Sequence, residues 1–109
     1  MAVLLFYYNR IALGDISPEI IKDYIATEAL VEGVNPQMAL AIAHDESQFN
    51  PQAVGDHGES LGIWQIHMPA HKEITPQNAR DVVFSTEWAI SQLKVGNCRI
   101  WSTCPLKSG

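Results

Sequence analysis

Ala41-Ile42-Ala43-His44-Asp45-Glu46-Ser47-Gln48-Phe49-Asn50-Pro51, followed by Gly62-Ile63-Trp64-Gln65-Ile66, is the stretch on which the fold turns. Asn35-Pro36 supplies a helix start, and Met38 to Asp45 is rich in Ala, Leu and Ile. A helix is therefore predicted from about Pro36 to Glu46. Phe49-Asn50-Pro51 ends it, because a residue before proline avoids helical angles. Glu46 thus falls where an apolar helix runs out. The negative end of the helix dipole disfavours a carboxylate there, and neighbouring apolar groups, Phe49 and Trp64 among them, would desolvate it. Both effects raise the pKa, and a carboxyl that stays protonated near neutral pH can serve as a general acid. The plain alternative is a solvated Glu that merely follows a helix.

Upstream, Ser17-Pro18-Glu19 opens another helix. Ile21, Tyr24, Ile25 and Ala29 recur at helical spacing until Gly33 stops it. Downstream, Gly55-Asp56-His57-Gly58 reads as a tight hairpin turn. Leu61 to Ile66 reads as a short strand or a buried helix start, and His67 to Thr75 as a loop. A third helix is predicted from about Val82 to Val95, ending at Gly96. Phe84, Trp88 and Ala89 lie on one side of it, with Leu93 close by. The fold class is α+β and mostly helical, with a small β-hairpin element beside the catalytic helix. A cleft between the two parts is a common place for a site.

Composition narrows the function. The chain has 109 residues, enough for one domain, with 47% hydrophobic and 17% charged residues; that balance belongs to a folded protein. Seven basic and twelve acidic residues give a net charge of −5. Lys94, Arg99 and Lys107 are too sparse for a basic patch, so no nucleic-acid partner is expected. The longest early apolar run, Ala2 to Tyr8, is too short to span a membrane. It also lacks the basic n-region and cleavage site of a signal peptide, so residues 1–15 read as an N-terminal extension and 16–109 as one compact domain.

Cys98 and Cys104 are too few for a zinc knuckle. They read as a disulfide closing a short loop, with a redox pair or two free thiols as alternatives. His44, His57, His67 and His71 invite a metal reading. His67 and His71 have helical ligand spacing, but Pro69 lies between them, so no metal and no cofactor are expected. Of Trp64, Trp88 and Trp101, Trp64 is placed near a groove and the others in the core.

Residues Ala41 to Pro51 resemble the Glu-Ser motif of soluble lytic transglycosylases with its following aromatic-Asn-Pro. Gly62-Ile63-Trp64-Gln65-Ile66 resembles the Gly-Leu-Met-Gln segment of the same superfamily, and Gly55 to Ile66 also resembles the Gly-Asp-x-Gly turn and strand of goose-type lysozymes. The resemblance is strongest from about Val34 to Pro69 and absent before Ile16. It implies a lysozyme-like fold that cleaves the β-1,4 bond between N-acetylmuramic acid and N-acetylglucosamine in peptidoglycan. Carried over, Glu46 is the acid, Ser47 sits beside it, and Trp64, Gln65 and the backbone of Ile63 to Ile66 line the sugar groove. Asp56 matches the goose-type Asp and is the candidate base for water, the alternative being an Asx-turn cap.

Both a hydrolase and a lytic transglycosylase fit, with a slight lean to hydrolysis because Asp56 is present. Goose-type enzymes carry a further Asp where this chain has His67. The family's usual Ala-Tyr-Asn segment is missing too, and the tail with Trp101 is the candidate substitute. A non-catalytic glycan-binding or structural module on the same fold is the alternative outside enzymology. The implied place of action is extracellular, periplasmic or virion-associated. The acidic balance fits delivery by a larger secretion or phage assembly.

Overall fold

In the computed structural model, residues 16–105 are described; the extension expected over 1–15 lies outside them. Helix α1 spans Pro18–Glu32 and α2 spans Pro36–Ser47. Both begin as the sequence suggests: Ser17 Oγ accepts from the Ile20 amide and Asn35 Oδ1 from the Met38 amide, each with proline in the first turn. Gly33, at φ 77°, closes α1 in the left-handed conformation that glycine adopts without a Cβ clash.

The end of α2 differs in mechanism from the expectation. The helix stops before Phe49-Asn50-Pro51 takes effect, because Gln48 and Phe49 turn left-handed at φ 54° and 64°. The Gln48 amide donates back to the His44 carbonyl at 2.7 Å.

Three short strands follow: β1 (Val54–Gly55), β2 (Ser60–Leu61) and β3 (Ile66–His67). They form one antiparallel sheet in the order β1-β2-β3, with Val54 opposite Leu61 and Ser60 opposite His67. A 3-10 turn, Asp56–Gly58, joins the first two strands, so the glycine-flanked segment does form a hairpin. The segment Leu61 to Ile66 is neither one strand nor a helix start. It is a strand end, a turn over 62–65 and a strand start. The expected loop after His67 begins as strand and continues as a 3-10 turn, Met68–Ala70.

Helix α3 (Pro76–Arg80) was not anticipated. Thr75 caps it with Oγ1 accepting from the Asn78 amide, the same cap-proline device that starts α1 and α2. Helix α4 spans Val82–Lys94, with Asp81 Oδ1 accepting from the Phe84 amide.

The core lies where α1 packs against α2 and α4. Ile21, Ile25 and Ala29 meet Ala39, Ile42, Ala43, Ala89 and Ile90 there, all buried. Each fully buried Ile contributes roughly 1.5–3 kcal/mol of transfer free energy. One face was misread on α4: Phe84 is 39% exposed, and the inner stripe is Val82, Ser85, Thr86, Ala89, Ile90 and Leu93. The two hydroxyls are tolerated inside because each has a partner. Ser85 Oγ donates to the Asp81 carbonyl at 2.6 Å, and Thr86 Oγ1 accepts from Trp64 Nε1 at 3.1 Å. No helix among the described residues is long and apolar enough to cross a membrane.

Candidate active site

A groove of about 690 Å³ runs between the end of α2, the sheet and the segment after α4. Glu46 reaches it from the last turn of α2. Asp56, His57, Glu59 and Ser60 enter from the β1–β2 hairpin, and Gln65 and His67 from the sheet's far turn and edge. Ile100, Trp101 and Ser102 supply a wall from the chain after α4, while Ala70 and His71 lie on the remaining side.

Glu46 is half-buried, and this desolvation raises its pKa above the usual carboxylate value. The Thr103 hydroxyl opposes the shift by donating to Oε2 at 2.8 Å. The negative charges of Asp56 and Asp45 add to it. Asp56 shares the groove but sits on an open rim, its side chain 69% exposed. Its carboxylate accepts a short hydrogen bond from Ser60 Oγ, and His67 Nδ1 lies 4.0 Å from the same oxygen. Ser60 Oγ and His67 Nδ1 are 3.3 Å apart.

The other residues singled out in the sequence support the groove from behind. Ser47 Oγ donates to the Ile63 carbonyl at 2.7 Å and so ties the end of α2 to the 62–65 turn. Gln65 lines the groove, yet its amide nitrogen is spent on the Ala53 and Gly62 carbonyls at 3.1 and 3.0 Å. Its Oε1 presses so close to Gly55 that a Cβ there would come within 2.3 Å, which accounts for glycine at that position. Ile63 and Ile66 are core side chains.

Trp64 is fully buried and is not a groove wall. Its indole N–H faces Thr86 rather than solvent, and its carbonyl accepts from Trp101 Nε1 at 2.8 Å. Trp101 is buried in the core, as expected, and also borders the groove, its ring 5.9 Å from the Trp64 ring and 6.0 Å from the Trp88 ring. Trp101 is held by a loop that Cys98 and Cys104 close with a disulfide. Thr103 was missed in the sequence, and no local pattern marks it, because its partner is far away along the chain. Among the described residues, no three His, Cys, Asp or Glu side chains are grouped to hold a metal ion.

A mostly helical body with a small antiparallel sheet, and a half-buried carboxyl at a helix end beside an open groove, is the architecture of the lysozyme-like superfamily. Residues 23–100 match the Transglycosylase SLT domain, and the chain belongs to that family. Membership supports lytic transglycosylase-type activity on peptidoglycan, outside the cytoplasm, as the general function. No curated protein and no solved structure matches the chain.

Proposed function

We propose that this chain cleaves the β-1,4 bond between N-acetylmuramic acid and N-acetylglucosamine, with Glu46 as general acid. The observation that carries the reading is the Glu46 carboxyl, half-buried at the groove and raised in pKa by that burial. Protonated, it gives its proton to the glycosidic oxygen as the bond to the anomeric carbon breaks. In the one-carboxyl route the carboxylate left behind then takes a proton from the nucleophile, whereas in an inverting hydrolase a second carboxylate takes the proton from water. In a lytic transglycosylase the nucleophile is the muramoyl 6-hydroxyl, which attacks the same anomeric carbon and closes a 1,6-anhydro ring. In a hydrolase it is water, which an inverting enzyme orients with a second carboxylate.

The open position of Asp56 and its engagement by Ser60 favour the first route, which needs one carboxyl only. Family membership favours it too. The hydrolytic reading, with Asp56 as the base, is carried by the presence of that carboxylate on the same groove. Peptidoglycan strands are the substrate in both. The same reading takes 16–109 as the working domain, and places it in the periplasm, outside the cell or on a virion, delivered by a larger assembly.

Clearing of purified peptidoglycan by the wild type and Glu46→Gln is the test. A positioned general acid is worth about 10²–10⁴-fold in rate, so the variant is expected to lose at least a hundredfold. Equal clearing removes Glu46 from the mechanism. Saturable muropeptide binding with no turnover by the wild type would mean a binding module. Mass spectrometry of the products separates the two routes, because the anhydro product is lighter by one water. If the product is the reducing sugar and Asp56→Asn abolishes it, Asp56 is the second carboxylate.

A further inference from the structure

We propose that Thr103 is a positioning residue for the reaction, holding the Glu46 carboxyl in its reactive orientation from a loop closed by the Cys98–Cys104 disulfide. The proposal rests on the reading of Glu46 as the acid. The contact is specific: Thr103 Oγ1 donates to Glu46 Oε2 at 2.8 Å across 57 positions of chain. A donor on Oε2 makes that oxygen the carbonyl of the neutral acid, so the transferable proton sits on Oε1. It also removes the free rotation that would let the two oxygens exchange roles. Orientation of this kind is worth a large share of a general acid's effect, because the proton must lie in line with the leaving oxygen.

The loop that carries Thr103 is built to hold it. The disulfide joins its two ends. Inside, the Trp101 amide donates to the Cys98 carbonyl and the Cys104 amide to the Trp101 carbonyl, both at 3.1 Å. The Trp101 indole N–H donates to the Trp64 carbonyl at 2.8 Å, and Trp101 is 3% exposed. This anchor fastens the loop to the turn that Ser47 already ties to the end of α2. Glu46 and Thr103 are therefore referenced to one rigid turn from opposite sides.

The charged and titratable groups facing Glu46 are Asp45 on its own helix and Asp56, His57, Glu59, His67 and His71 around the groove. Among them Thr103 lowers the Glu46 pKa while Asp56 and Asp45 raise it. Removing the hydroxyl moves the Glu46 pKa up, so the alkaline limb of the rate profile, where the acid loses its proton, shifts to higher pH.

The experiment measures kcat and KM on soluble glycan strands across pH for wild type, Thr103→Val, Thr103→Ser and Glu46→Gln. Thr103→Val keeps the shape and is expected to lower kcat about tenfold with KM within about twofold, with the limb moved to higher pH, and Thr103→Ser to restore both. Wild-type kcat and an unmoved limb in Thr103→Val, with Glu46→Gln inactive, would overturn the role of Thr103 and leave the acid in place. An active Glu46→Gln overturns the acid and Thr103 together. Should Thr103→Val not fold, carbon-13 titration of the Glu46 carboxyl in folded Thr103→Ala decides: an upward shift supports the contact and an unchanged value overturns it.

Discussion

Glu46 is held in its place against its own preference for water. Burial raises its pKa, so between the ordinary carboxylate value and the raised one the folded protein binds a proton that the unfolded chain has released. Stability then falls as pH rises through that window. Glu46→Gln is neutral at every pH and is expected to melt above the wild type at neutral pH. The advantage should vanish below the ordinary carboxylate range, where both are uncharged. Thermal melts of the two proteins from acid to neutral pH check this, and a variant that melts lower at neutral pH would mean that the carboxylate is not destabilising. On the proposed function, Glu46 is a functional group that costs stability, a common trade. Its position at the end of α2 is legible in sequence, since Asn35-Pro36 and the apolar run set the helix and its length. Its partner Thr103 is not legible, because only the folded chain brings the two together.

The elements show where local rules suffice. Three helices start on a capping side chain followed by proline, at Ser17-Pro18, Asn35-Pro36 and Thr75-Pro76. The third is not evident from the sequence, because five residues are too few to show an apolar period. The 62–65 turn shows where local rules fail. Gly62 has φ 84°, and a Cβ there would meet the Ala79 carbonyl at 2.2 Å. Gly58 has φ 94° with nothing within 4 Å. Both positions strain an alanine by about 1 kcal/mol, but Gly62→Ala must also push α3 away and is expected to cost at least about 2 kcal/mol more. Urea midpoints of Gly58→Ala and Gly62→Ala test the difference. Equal losses would mean that α3 gives way freely.

At the scale of the molecule, the segment after α4 completes the groove wall opposite the hairpin. Among the described residues it contributes a single 3-10 turn, Cys98–Ile100, and it is tied down by the disulfide and the Trp101 anchor. Closing so short a loop is worth about 2 kcal/mol by the chain-entropy account. Replacing Cys98 and Cys104 together by serine is expected to lower the melting temperature by several degrees and to reduce glycan turnover more than global unfolding explains. Calorimetry and turnover at a temperature where both proteins stay folded check the two effects. Unchanged turnover would detach the loop from catalysis.

Helix starts, the hairpin turn, the buried face of α1 and the site of Glu46 at a helix end were all determined by the sequence itself, because each depends on neighbours within a few residues. The tertiary structure alone decided which of two buried tryptophans also borders the groove: Trp101 does and Trp64 does not. Trp64 and Trp101 are both large and apolar with one N–H donor, and only the positions of Thr86 and the Trp64 carbonyl tell them apart. The inner face of α4 was decided in the same way, since the buried Thr86 hydroxyl finds its partner in Trp64, far away along the chain. Long-range hydrogen bonds leave no periodic trace in a chain, so the contact between Thr103 and Glu46 belongs to the fold and not to any motif.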